Sequence, residues 1–192
     1  MRIDNNSAAV DNDFIAKVAQ TRKSSMKPAQ ILVEIFRALN VQGVIHPLVY
    51  DKEVMQENPI VQSFFVEQVI NRLGFEDIFQ GDEDKKAYYM FLVPELYYAL
   101  RGEQLPEGTN VLTYWKRKCS LGEIHTVSMC VVTSCSLFLS DDGDSKALMN
   151  IVLEKFAAHI DVYNRNDVIA CYQNSGATGL SRNEKRAFLH KT

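Results

Sequence analysis

The chain has 192 residues, and 21 Lys+Arg against 24 Asp+Glu leave a formal net charge of -3. Hydrophobic residues make up 46% and charged residues 23%, the mix of a globular domain rather than a disordered or collagen-like chain. The charge balance argues against a strongly cationic, DNA-coating protein, and the length suits one domain of ordinary size.

No window approaches the run of about 18 apolar residues that a membrane span needs. Nothing among the first twenty residues reads as a secretory signal. The four cysteines, Cys119, Cys130, Cys135 and Cys171, contain no CxxC pair, which removes a zinc ribbon. Reduced thiols in a cytoplasmic protein are the expectation.

In chain order, Ala8-Ala9-Val10 predicts a short strand that runs into the acidic turn Asp11-Asn12-Asp13. Phe14 to Ala19 continue with helical spacing. Thr21 to Lys27 is a polar, basic loop containing Arg22, Lys23 and Lys27. Pro28 suits a first helical turn, and Ile31, Ile35 and Leu39 recur at i, i+4, i+8, predicting a helix over 28–39. Gly43 would end it, with Val44-Ile45 as a buried strand. His46-Pro47 marks a helix entry, and Leu48 to Met55 suit a helix carrying Asp51 and Glu53. Phe64, Phe65, Val69, Ile70 and Leu73 predict a further helix closed by Gly74.

The stretch Gln80 to Lys86 is charged and reads as exposed. Ala87 to Leu100, rich in aromatic residues, predicts a helix despite Pro94, and Arg101 to Asn110 a loop. The aromatic residues suit a core or a protein surface better than a base-stacking platform. Helices are expected over 121–130 and 147–156, and strands over 136–139 and 160–163, with a last helix from Asn166. Short apolar strands alternating with helices indicate an α/β fold with a mainly parallel sheet of four or five strands. In such sheets ligands gather at the carboxyl ends of the strands.

Two of the predicted strands end in acids. Val10 runs into Asp11, and Leu139 into Ser140-Asp141-Asp142-Gly143-Asp144. With Asp13, Asp51, Glu53 and Glu123 these form four acidic groups. Carboxylates gathered at strand ends repel one another unless a cation lies between them. Hard oxygen donors suit Mg²⁺ or Mn²⁺, which can lower the pKa of a bound water for attack on phosphorus. Each group also has an ordinary explanation. Asp11 could cap a helix, Asp141 to Gly143 could be a turn, and Glu123 could favour a helix first turn. It is their joint occurrence at the expected places of one α/β topology that argues for a site.

Several stretches carry a family resemblance. Ala9 to Ile15 resembles the first strand and the apolar-Asp-Thr-Asn-apolar motif of the PIN-domain nucleases, with Asn12 in place of Thr and Asp13 in place of Asn. Val44 to Pro47 followed by Glu53 resembles the second strand and the helix of the second acid, with Asp51 as the alternative. Leu121-Gly122-Glu123 is similar to the Gly-Glu helix start of one branch. Leu137 to Asp144 is similar to the apolar-Thr-x-Asp-x-Asp motif, with Ser140 for Thr, and leaves Asp141 and Asp142 both open.

The resemblance covers about 8–56 and 119–170, with 74–115 as a peripheral helical insertion. It implies a three-layer α/β/α sandwich and a Mg²⁺- or Mn²⁺-dependent nuclease acting on RNA, with single-stranded RNA as one option and the substrate's structure left open. Asp11, Glu53, Glu123 and Asp142 would be catalytic, and Asp11, Glu123, Asp142 and Asp144 would be the metal ligands. It also raises a toxin-type ribonuclease with an inhibitory partner protein, and a homo-oligomer. A PIN-like binding module without catalysis is the alternative. A receiver- or phosphatase-like domain ranks last, because no suitable Lys follows on a later strand.

Dinucleotide, P-loop and GxSxG signatures are absent. The histidines His46, His125, His159 and His190 have no HExxH or HxH spacing, and His125 reads as structural. Cys130 and Cys135 read as buried small hydrophobes on the helix before the Leu137 strand. Lys116-Arg117-Lys118 is a candidate contact for a nucleic-acid backbone, and Arg182, Lys185, Arg186 and Lys191 form a separate basic tail.

Overall fold

The computed structural model describes residues 3, 6–21, 24–54 and 56–189. Arg22, Lys23, Met55, His190 and Lys191 lie outside the described residues.

Five short strands are followed by helices. β1 (Ser7–Val10) leads to α1 (Asn12–Ala19) and α2 (Pro28–Leu39); β2 (Gln42–Ile45) leads to α3 (Pro47–Lys52) and α4 (Pro59–Val66). β3 (Ile70–Arg72) leads to α5 (Phe75–Phe79), α6 (Glu83–Arg101) and α7 (Leu121–Thr133). β4 (Leu137–Leu139) is followed by α8 (Asp144–Phe156), and β5 (Asp161–Tyr163) by α9 (Arg165–Asn174) and α10 (Arg182–Leu189). All pairings are parallel, and the sheet order is β3-β2-β1-β4-β5.

Strand alternation sorts side chains to the two faces. Ala9, Val44 and Phe138 pack with α5 to α8, whereas Ala8, Val10, Ile45 and Leu139 pack with α1, α2, α4, α9 and α10. The result is a three-layer α/β/α sandwich. No helix among the described residues is long and apolar enough to cross a membrane.

The strand order fixes where a site can form. After β1 the chain builds outward through β2 and β3, then returns to place β4 on the other side of β1. The connections leaving β1 and β4 therefore diverge and open a crevice at their carboxyl ends. The register sets Val10 beside Leu139, and Asp11 N donates to the Leu139 carbonyl at 3.0 Å.

Two expectations need correction. Gly43 does not end α2: Asn40 does, in the left-handed region at φ 53°, which Asn tolerates well. Gly43 instead lies in β2, where a Cβ would come within 2.6 Å of Phe36 Cε2 and 3.0 Å of the Val69 carbonyl. The helix expected over Phe64 to Leu73 divides in two. Asn58 caps Ile60 N and Val61 N, and Pro59 opens α4 earlier. Gln68 then turns the chain at φ 54°, and Ile70 pairs beside Gly43. An available parallel edge overrides the helical spacing there.

The 74–115 segment is helical over α5 and α6. In α6 one face is buried in the core through Tyr89, Leu92, Val93, Leu96 and Tyr97, while Tyr88, Phe91 and Tyr98 are exposed. α6 begins at Glu83, so Glu83 to Lys86 belong to the helix, capped by Asp82. Cys130 lies in α7 and Cys135 just beyond its end; both are buried, and none of the four cysteines is joined in a disulfide.

The closeness of Gly43 to Phe36 and the Val69 backbone yields a test. Gly43→Ala should destabilise the fold by about 1–3 kcal/mol, because the added methyl overpacks a site with no room. Urea unfolding of the two proteins measures this.

Candidate functional site

Asp11 stands at the crevice, only 2% exposed, as the N-cap of α1. Its Oδ1 accepts from Asn12 N at 2.7 Å and its Oδ2 from Ser140 Oγ at 3.2 Å. Ser140 Oγ accepts in turn from Ser145 Oγ at 2.8 Å and from Asp142 N at 3.1 Å. One hydroxyl thus ties the acid after β1 to the loop after β4. Asp142 Oδ1 accepts from Asp144 N at 3.0 Å, and Asp144 Oδ2 accepts from Ser120 Oγ at 3.2 Å, so the start of α8 is tied to the N-cap of α7.

Glu53 and Glu123 arrive from the other side. Glu53 is the C-cap of α3, and Glu123 lies in the first turn of α7. Between them is Gly122, where a Cβ would lie 2.8 Å from Glu53 Oε1. Only a residue without a side chain lets this carboxylate rest against the first turn of α7, and a helix N-terminus favours negative charge.

The acids perturb one another. Burial, then the Glu53 charge, raise the Asp11 carboxyl from 3.8 to about 7, against the opposing hydrogen bonds from Asn12 and Ser140. Burial and the charge of Glu123 raise Glu53 to about 7. Burial and the charges of Asp11, Asp142 and Asp144 raise Glu123 to about 7. Three carboxyls raised toward neutrality in one crevice make it the candidate functional cluster of the fold.

The remaining acids are neutralised by cations. Asp51 pairs with Arg72 at 2.8 Å, outside the cluster. Asp13 pairs with Lys17 at 2.5 Å. Asp141 accepts from Arg165 N at 3.0 Å and Arg165 Nε at 2.5 Å, with Lys17 at 3.9 Å, while Arg165 Nη1 reaches the Phe188 carbonyl at 3.0 Å. Asp141 therefore fastens α9 and α10 to the β4–α8 loop. Asp11, Glu53, Glu123, Asp142 and Asp144 have no ion-pair partner among the described residues. Also among the described residues, no three His, Cys, Asp or Glu side chains already stand as a group that could hold a metal ion.

Lys116, Arg117 and Lys118 are exposed in the loop that leads into α7 through Cys119 and Ser120. Lys116 turns toward Glu103 at 3.8 Å.

Beneath the acids lies a group that sequence reasoning did not assemble. Tyr89 Oη is 2.8 Å from His46 Nε2 and 2.7 Å from His125 Nδ1, and all three residues are fully buried. Burial holds both histidines below the usual imidazole range, His125 at about 4, where the Tyr114 backbone partly opposes the fall. His46 Nδ1 accepts from Leu48 N at 3.2 Å, so the proton of that neutral ring is on Nε2 and is donated to Tyr89. Tyr89 then donates to His125 Nδ1, leaving the His125 proton on Nε2, which has no hydrogen-bond partner among the described residues. Ser145, Lys17 and Arg165 were missed as well. Asp13–Lys17 has the i, i+4 spacing that signals a helix ion pair; Arg165, 24 residues from Asp141, carries no local signal.

The raised carboxyls set a pH dependence. Unfolded, these acids lose their protons near pH 4; folded, near pH 7, so the folded chain holds more protons between. Stability therefore falls as pH rises from about 4 to about 7 and levels off above. For the buried Asp11 the shift corresponds to a cost on the order of 4 kcal/mol. Asp11→Asn should add on the order of 2–4 kcal/mol at pH 8, little at pH 4, and flatten the curve between. Ser145 can reverse its bond to Ser140, which leaves room for the new amide donor. Urea unfolding across pH 4–8 tests the sign; an unchanged slope in the variant would refute it.

No family model, curated protein or solved structure matches the chain.

Proposed function

We propose that the protein is a Mg²⁺- or Mn²⁺-dependent nuclease that hydrolyses phosphodiester bonds in single-stranded RNA, with a PIN-like site at the β1–β4 crevice. One observation carries this reading. Five acids from the ends of β1, α3 and β4 and the start of α7 and α8 lack a cation partner among the described residues, while acids just outside are paired. A divalent ion would relieve the repulsion that raises the three carboxyls.

Asp11 and Asp142 are the ligands favoured here, with Glu123 and Asp144 completing the set directly or through water, since Mg²⁺ takes few carboxylates and several waters. Because no three side chains stand ready, Glu53 and Glu123 would have to turn inward on binding. A bound ion would supply charge neutralisation and a more acidic water. The chain's own part is to hold Asp11 through Ser140 and to accept a proton at Glu53, the acid of the cluster left outside the ligand set. Lys116, Arg117 and Lys118 would hold the phosphate backbone, as positioning contacts without base readout. A toxin-type ribonuclease restrained by a partner protein, acting in the cytoplasm and as a homo-oligomer, is a narrower form of this proposal.

The second reading is a binding module of the same fold without catalysis. The absence of a ready three-residue metal group among the described residues favours it.

Cleavage of a labelled single-stranded RNA should require Mn²⁺ or Mg²⁺ and should fall at least 100-fold in Asp11→Asn and in Asp142→Asn, both folded. Metal-independent cleavage, or full activity in both variants, refutes the mechanism. RNA binding without cleavage or metal uptake selects the binding module. Mn²⁺ uptake should also release protons at pH 7 and fewer at pH 8.5, because cation and proton compete for carboxyls that titrate near 7. Calorimetry in two buffers of different ionisation enthalpy reads that release.

A further inference from the structure

The two glutamates of the cluster are carried by segments that share no hydrogen-bonded strand. Glu53 closes α3, which has only six residues and starts at the His46 cap, so its two ends move together. Glu123 opens α7, and His125 follows two residues later. Glu53 lies against Gly122, so its distance from Glu123 depends on how α3 sits on α7.

One hydroxyl joins the two segments in the core. Tyr89 Oη accepts from His46 and donates to His125, and both bonds are short. The rings add a second restraint. His46 lies parallel to Tyr89, with an interplanar angle of 2°, and stacks on His125 with centroids 5.3 Å apart. Trp115 stacks on His125 at 6.3 Å, and Phe75 packs edge-on to His46 at 5.5 Å. These rings hold both imidazoles in place around the Tyr89 hydroxyl.

We propose that Tyr89 is a positioning residue of the acidic site, whose hydroxyl clamps His46 to His125 and thereby sets the spacing of Glu53 and Glu123 for a divalent cation. This rests on the reading of the cluster as a cation site. Tyr89 touches none of the acids and acts through the two histidines. Tyr89→Phe keeps the ring and removes both bonds; α3 is then free to shift on α7. His46→Asn keeps a cap for Leu48 N but is too short to reach Tyr89.

The test is Mn²⁺ affinity by titration calorimetry at constant pH, with thermal unfolding of each protein in parallel. Tyr89→Phe and His46→Asn should each weaken Mn²⁺ binding by roughly tenfold, the size expected of a side chain that acts on a site through packed neighbours. Phe64→Leu, a buried change in α4 on the opposite face of the sheet, controls for lost stability and should leave affinity unchanged. If Tyr89→Phe does not fold, His46→Asn carries the comparison. Wild-type affinity in the folded variants, or an equal loss in Phe64→Leu, overturns the clamp alone. A wild-type protein that takes up no Mn²⁺ overturns the cation reading, and the clamp with it.

Discussion

Repulsion between the buried Asp11 and the half-buried Glu53 and Glu123 is the constraint around which the carboxyl edge of this sheet is built. Asp11 is buried beside β4; the charge of Glu53 raises Asp11, that of Glu123 raises Glu53, and that of Asp11 raises Glu123. The fold offsets part of this with uncharged donors. Asn12 N and the Ser140 hydroxyl bond Asp11, and the first turn of α7 faces Glu53. Such groups favour the ionised form without removing its charge. The cluster therefore stays proton-hungry at neutral pH, which a salt bridge would have prevented.

Cations are nevertheless close by, and their placement is selective. Lys17 lies between Asp13 and Asp141, and Arg165 is committed to Asp141 and the Phe188 carbonyl. These pairs hold α1, α9 and α10 around the β4–α8 loop while leaving the inner acids alone. Arg165 and Asp141 are both nearly buried, so losing either partner would strand a charge and cost several kcal/mol. The outer ring thus stiffens the loop that carries Asp142, and the inner ring retains its negative potential.

Much of this was legible from sequence because it is local. The 28–39 helix follows from Pro28 and its apolar spacing, and strands β1, β2, β4 and β5 follow from short apolar runs ending in turns. Asp11 and Asp142 were found because strand ends next to acids are visible in one dimension. Asp51 and Glu53 are two residues apart, and only Arg72, brought alongside by β3, separates their roles. β3 itself was hidden, since Val69-Ile70 continues a helical apolar spacing and becomes a strand only because β2 offers an edge. The Tyr89 clamp joins residues 36 and 43 positions apart, and no periodicity encodes a contact of that span.

α7 is where these requirements meet, and its composition reflects the conflict. Every residue from Ile124 to Cys130 is buried, yet Thr126 Oγ1 and Ser128 Oγ make no hydrogen bond among the described residues. Each such group forgoes roughly 1–3 kcal/mol relative to a satisfied one. Apolar burial by α6 on one side of α7, and by Phe138 of β4 within the same cluster, holds the helix in place. Deep burial of α7 is then what lets its first turn present Gly122 and Glu123 to the acids at a fixed height. A more exposed helix could satisfy its polar groups with water, but Glu123 would lose the burial that contributes most to raising its carboxyl.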